Sequence, residues 1–304
     1  MAMTEQQFIE LEGNINKVYD AFHKDTIDYL PKMFNVIKTT NRQMTDYTMG
    51  APSRMAKWTG TVHYDDVAKG FEKQYRVEKY STGIQVDRDL WEDGDYQQIK
   101  TKVSNIAQGV FTHMQYESVA MYNDGFAGTL VLGPDGQPLF SASHKTIPSE
   151  ADVQSNTGTL SLYYESLETI RRIMSRWKND KGDRMLIVPN LVIAGDYWED
   201  TCKKLFGSDK EAFTADNNKN IYKDHKYFIH PLIEGKKWFY VSEMAMRNGT
   251  GANFVMRKDP RSNIERDGST AAGDFNTEIL SWKSIARYDY GFTNWWWAYG
   301  NNPA

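Results

Sequence analysis

The sequence predicts an α+β protein, with helices and antiparallel strands segregated along the chain rather than alternating as in βαβ units. Three observations predict it. Apolar residues recur every three to four positions across 96–122, the mark of one long amphipathic helix. Stretches of strand-like alternation flank that helix at 58–89 and 277–299. No repeat recurs along the chain and no stretch is of low complexity. With 304 residues and 40% hydrophobic content, the chain can build one large or two ordinary domains.

The elements follow in order. Phe8, Leu11, Ile15, Val18 and Phe22 form a narrow stripe along a helix of about five turns, which must be buried against its own domain or a neighbour. From 31 to 57 the pattern dissolves into Thr, Asn, Met, Gly and Pro, predicting an extended, irregular strap. Across 58–89, Thr61, His63 and Asp65 alternate with Val62 and Tyr64, and Tyr75, Val77 and Lys79 with Arg76 and Glu78. That is a hairpin too poor in aliphatics to form its own core, so it should project and be stabilised by a neighbour. Trp91-Glu92-Asp93-Gly94-Asp95 should stop the strand and cap the helix, with acids where the N-terminal dipole favours them. The helix then presents Ile99, Val103, Ile106, Val110, Met114 and Met121 on one side until Asn123-Asp124-Gly125 ends it.

Gly133-Pro134-Asp135-Gly136 is a turn signal between the short apolar runs 129–132 and 138–140, predicting a hairpin. A second helix is expected over 162–178, entered through Ser161 and carrying Tyr163, Leu167, Ile170, Met174 and Trp177 as its stripe. The apolar run 185–194 reads as a buried strand bent at Pro189. A short helix over 197–205 holds the single cysteine, Cys202, which permits no intramolecular disulfide. Strands 226–233 and 237–241 should pair around Glu234-Gly235-Lys236. Further strands at 253–257, 277–288 and 292–299 close the chain, the last carrying Trp295-Trp296-Trp297. Alternating faces would turn at least one ring away from the buried side. These rings are expected to pack in the core and sheet, to meet a neighbouring subunit, or to stack on a sugar or base.

Chemistry is sparse. The six histidines are scattered, with no pair at ligand spacing on one helix face, and no zinc, EF-hand, phosphate-loop or nucleophile-elbow pattern occurs. The acids Glu92, Asp93 and Asp95 are explained by capping, and Cys202 has no activating partner in the sequence. We therefore expect no catalytic residue, no metal and no cofactor. A net charge of −4 argues against chain-wide phosphate neutralisation. No apolar run reaches the ~18 residues that span a bilayer, and the polar start MAMTEQQFIE predicts neither signal nor transit peptide.

Three ordered stretches resemble the Mu-like major head subunit family. They are Gly83-Ile-Gln-Val-Asp-Arg-Asp-Leu-Trp-Glu-Asp-Gly-Asp95, Gly136-Gln-Pro-Leu-Phe-Ser-Ala-Ser-His144 with Thr159-Leu-Ser161, and Ile285-Ala-Arg-Tyr-Asp-Tyr-Gly291 with Trp296 and Gly300. The order of parts also resembles the tailed-bacteriophage major capsid fold of the Hong Kong phage type. The resemblance implies an N-terminal arm at 1–55, a projecting hairpin (E-loop) at 56–92, and a spine helix with P-domain at 93–160. It places an A-domain at 161–275 and returning P-domain strands at 276–304.

The implied function is a capsid subunit that self-assembles as hexamers and pentamers into an icosahedral shell around phage DNA. Implied partners are other copies of the chain, a scaffolding protein, a portal, head-completion proteins, and double-stranded DNA held without sequence-specific contacts. No membrane is involved; the protein is expected in the virion, after assembly in the host bacterial cytoplasm. The suspected interface residues are Phe8, Leu11, Trp58, Lys69, Phe71, Lys73, Tyr75, Trp91, Trp295 and Trp297. Some relatives cross-link a hairpin Lys to a distant Asn, but no motif here matches that chemistry. The alternatives are a Trp-rich carbohydrate-active enzyme, which needs two carboxyls about 5 to 9.5 Å apart in a pocket, or a tail or host-surface binding module.

Overall fold

The computed structural model describes residues 16–24, 27–55, 57–62, 64, 67–87, 89–90, 93, 96–148, 152–210, 219–223, 225–261, 264–266 and 279–304. A helix, α1, covers 16–24; its Val18 and Phe22 pack beside the buried Tyr19. Phe8, Leu11, Ile15, Trp91 and most of the expected helix cap lie outside the described residues.

The expected strap is more ordered than its composition suggested. It holds a short helix α2 (Leu30–Met33) and strands β1 (Asn35–Lys38) and β2 (Gln43–Met49). Leu30, Met33 and Phe34 are buried, and β1 runs parallel to β9 (Ala252–Lys258), whose side chains are mostly buried. Long-range pairing and burial order this stretch where local propensity did not.

The hairpin expected over 56–92 is not formed as such. β3 (Lys69–Arg76) pairs backward with β2, from Gln43↔Arg76 to Met49↔Lys69. β4 (Glu78–Asp87) instead pairs antiparallel with β11 (Ile279–Phe292), from Ile279↔Asp87 to Tyr288↔Glu78. Val77 is the switch point between the two sheets, its amide donating to Arg42 O at 3.1 Å. The reason is burial: Ile84 and Val86 of β4 pack against the long helix, so β4 belongs to the body while β3 belongs to a separate ribbon.

The long helix α3 (Tyr96–Asn123) matches its prediction and spans about 42 Å. Its first half, through Ile99, Val103 and Ile106, packs with Tyr19, Val86 and Trp282 in a small core. Its second half, through Met114, Val119 and Tyr122, enters the main core. The helix therefore ties two cores together as a spine. Its C-terminus is held by Lys237 Nζ donating to Asn123 O at 2.9 Å, a cation placed where the helix dipole favours it.

The first sheet has the order β1-β9-β11-β10, with β10 (Glu265–Arg266) and β4 on opposite sides of β11. The second has the order β5-β12-β8-β6-β7. It joins β5 (Thr157–Gly158), β12 (Ala298–Asn301), β8 (Trp238–Val241), β6 (Leu191–Ala194) and β7 (Lys226–Ile229). The predicted pairing of β7 with β8 is not observed. β6, buried along its whole length, inserts between them, parallel to β7 and antiparallel to β8. Burial on both faces puts the most apolar strand in the interior of the sheet.

The turn at 133–136 forms, with Gly136 at φ 76, but no strands flank it in the described residues. The second helix, α4 (Tyr164–Met174), is shorter than predicted and has no side-chain cap from Ser161. α5 (Glu199–Gly207), entered through the turn Asp196–Trp198, buries Cys202. A short α6 (Glu243–Met246) follows β8.

Candidate subunit interface

The β2-β3 ribbon and the loop 50–68 that joins its strands hold most of the suspected interface residues that the structure describes. The ribbon's register carries a bulge between Tyr47 and Met49, where Gly70 passes so close to Thr48 that a Cβ would sit 2.2 Å from Thr48 O. Only glycine fits that approach.

The base of the ribbon is locked. Tyr75 is fully buried and its hydroxyl donates to Thr293 Oγ1 at 3.0 Å, which in turn donates to Asp46 Oδ2 at 2.7 Å. Arg76 N donates to Asp289 Oδ2 at 2.7 Å, and Lys73 Nζ donates to Leu132 O at 2.7 Å. Burial pushes the Lys73 ammonium below its ordinary range and the Asp289 carboxyl above its own. These bonds fasten the ribbon to β11, to the turn after it, and to the segment before the 133–136 turn.

Past the ribbon, contact with the body thins. Ala51 N donates to Asp180 Oδ1 at 2.7 Å, Lys181 Nζ donates to Ser53 Oγ at 2.8 Å, and Arg54 pairs with Asp183. Beyond Arg54 the described loop residues are exposed until Ala68: Met55 by 99%, Trp58 by 67% and Tyr64 by 88%, with Val62 also open. This short apolar-aromatic segment stands in solvent beyond an ordered base, which makes it the candidate contact surface.

The predicted interface residues divide three ways. Trp58 and Lys69 are exposed on the loop and the ribbon's far end, and Phe71 and Lys73 are half-buried along it. Tyr75, Trp295 and Trp297 are corrected: all three are buried within their own chain. The tryptophans lie in a turn between β11 and β12, not in a strand, so no alternation pushes a ring outward. Trp295 stacks on His144 at 4.9 Å and donates Nε1–H to Lys145 O; Trp297 donates to Asn294 O and meets Tyr122. Phe8, Leu11 and Trp91 lie outside the described residues. Met55, Val62 and Tyr64 were not among the suspected interface residues; the alternation over 61–65 placed Val62 and Tyr64 in a strand, whereas the described residues of 57–68 form none.

His144 closes one of the stretches that carry the family resemblance. Its two ring nitrogens face Asp135 Oδ2 at 2.6 Å and Leu139 O at 3.2 Å, under the Trp295 ring, so it staples the 133–136 turn to the core. Cys202 is buried, which pushes its thiol up to about 12 and leaves it unreactive. Among the described residues no group of His, Cys, Asp or Glu is arranged to hold a metal ion. Nor is any described helix long and apolar enough to cross a membrane.

Comparison with known proteins gives a family and a fold. The model of the Mu-like prophage major head subunit gpT family matches residues 10–162. No curated protein sequence matches the chain. Among solved structures, a chain of the procapsid of bacteriophage JBD30 aligns with 99% of this chain and 77% of its own length, at 15% identity and a TM-score of 0.54. A virus-like particle from Pyrococcus furiosus aligns with 96% of this chain and 100% of its own, at 9% identity and TM-score 0.53. A phage-related protein from Bordetella bronchiseptica RB50 aligns with 94% and 96%, at 13% identity and TM-score 0.50. At such identities the likeness is one of fold.

Proposed function

The chain belongs to the Mu-like prophage major head subunit gpT family, and from that premise we propose how its surfaces build a shell. The protein is a major head subunit, a structural protein of the phage capsid, and its copies associate with one another. In our reading they close as hexamers and pentamers, each copy laying its loop 50–68 over a neighbour. The observation that carries this is the contrast within the ribbon: a base fixed by buried hydrogen bonds and a tip whose large side chains stand in solvent. A ring needs different patches that meet head to tail, and a projecting element provides one of them.

We divide the chain into an arm to residue 42, the projecting ribbon 43–76, the spine helix and P-domain to 160, the A-domain 161–275 and return strands 276–304. The partners we assign are a scaffolding protein, a portal, head-completion proteins and packaged double-stranded DNA. The net charge of −4 suits an inner wall that holds DNA without tight contacts. Assembly takes place in the host bacterial cytoplasm, and we assign no catalytic role. Electron microscopy and light scattering of the expressed chain test the reading. Rings or closed particles are expected, whereas a strict monomer at high concentration under all assembly conditions would overturn it.

A further inference from the structure

The five-stranded sheet ends in two edges that the chain treats differently. The β5 edge is closed from within: the Tyr299 hydroxyl donates to Thr157 O at 2.8 Å, and Thr157 N donates to Ser155 Oγ at 3.4 Å. On β7 the amides of Lys226 and His230 donate to Asn190 O and Ala194 O of the β6 side. The two-residue alternation of a ladder then turns the peptide groups of Tyr227 and Ile229 outward. Among the described residues no strand lies beyond them.

Beside that open edge is a cavity of about 460 Å³. Its floor is aromatic, with Phe206 stacked on Tyr227 at 5.6 Å between ring centroids. Its rim is cationic: Lys32, Lys223, Lys226 and Arg247 all line it. Lys226 and Arg247 share Glu243, at 2.8 and 3.4 Å, and Lys223 pairs with Asp209. Among the described residues Glu243 is the one carboxylate lining the cavity beside these four bases, so the described lining is positive in a chain that is negative overall.

The complement of this cavity stands at the other end of the same elements. β6 leaves the cavity at Leu191 and α5 returns to it at Phe206; between them, at the far end, is the turn Asp196–Trp198. There Tyr197 is 58% exposed, flanked by the exposed Asp196 and Asp200. The nine residues of α5 hold this knob about 13 Å from the cavity floor, so a copy cannot fill its own cavity.

We propose that the cavity beside β7 receives the Asp196–Tyr197 knob of a second copy, forming a head-to-tail contact between neighbouring subunits. The tyrosine ring enters over Phe206 and Tyr227, and the aspartates meet the lysine and arginine rim. Unlike patches at opposite ends of one rigid unit are what a closing, heterologous contact requires. The proposal rests on the shell reading above and names a surface through which adjacent subunits meet.

The test uses the full chain carrying Tyr197→Cys and Tyr227→Cys. Cys202, buried and unreactive, stays silent under mild oxidation. Assembled and oxidised particles should run on a non-reducing denaturing gel as a ladder beyond the dimer, because each copy links to two neighbours. Either single variant should give no ladder. The chain with Asp196→Lys and Asp200→Lys should stay folded, with a Tm only slightly lowered because both acids sit in the first turn of a helical element, yet need about tenfold more protein to assemble. Mixing it with copies carrying Lys32→Glu and Lys223→Glu should restore assembly. Wild-type particles with no ladder from the double-cysteine chain, or a lysine variant that assembles like the wild type, overturn the contact alone. A wild-type chain that makes neither rings nor particles overturns the contact and the shell reading together.

Discussion

Replacing Met55, Trp58 and Tyr64 together by serine should raise the concentration needed for assembly about thirtyfold while leaving the subunit's own stability untouched. The three side chains are exposed by 99, 67 and 88%, so the folded monomer draws almost nothing from them. Burying a large apolar side chain completely is worth about 1.5 to 3 kcal/mol. The exposed parts of these three amount to about two and a half side chains, hence about 4 kcal/mol per contact at the lower figure. Ordering the loop on the neighbour offsets about half of that, at about 0.5 to 1.5 kcal/mol for each immobilised side chain. The remaining ~2 kcal/mol corresponds to a rise of about thirtyfold in the concentration needed for assembly. Light scattering against protein concentration measures that threshold, and urea unfolding of the unassembled chain measures stability. A variant that assembles at the wild-type threshold would refute the assignment of the loop as a contact. A variant whose urea midpoint falls would show that the loop packs on its own body.

Four further outcomes follow from individual residues. Trp297→Ala should cost about 3 to 5 kcal/mol of subunit stability, seen in urea unfolding, because the ring is buried in the core; an unchanged midpoint with impaired assembly would return it to the interface. Tyr75→Phe should cost about 1 kcal/mol by deleting the donor to Thr293, measured by the same unfolding curve. His230 accepts from Leu232 N at Nδ1 and faces Ser118 Oγ through Nε2, and burial lowers its pKa to about 4. The unfolded chain, with an ordinary histidine near 6.5, binds that proton first, so this contribution is complete above about pH 6.5 and is lost as pH falls towards 4. The loss is about 3 kcal/mol, and the difference between wild type and His230→Asn across that window isolates it; parallel pH profiles would refute it. Leu186, at φ 53 and 79% exposed, should tolerate Gly with stability unchanged or raised by up to about 1 kcal/mol, whereas Leu186→Val should lower the Tm.

The elements of this protein and their partners were legible to different degrees. The long helix could be read nearly to the residue, since Ile99, Val103, Ile106, Val110 and Met114 recur on one face and each backbone bond closes four residues away. β9 and β11 were legible for the same reason of local period, and so was the α+β class. The candidate interface was legible only as a region: Trp58 was singled out, but the exposed Met55 and Tyr64 were not. Nothing local distinguishes an apolar side chain waiting for a neighbour from one waiting for its own core.

What only the tertiary structure decided is who pairs with whom. β3 and β4 are one residue apart, yet one joins the ribbon and the other lies along β11, nearly two hundred residues away in the chain. A strand's ladder bonds are made by a partner that its own sequence does not name, so pairing is settled by which faces can be buried together. The same holds for the triple tryptophan. Composition marked it as conspicuous, and packing against His144 and Tyr122 placed Trp295 and Trp297 inside. By itself the sequence determined the periods, the long helix and the absence of any local catalytic motif. The assignment of each apolar side chain to core or contact depended on distant elements coming together, because burial is a property of the assembled fold.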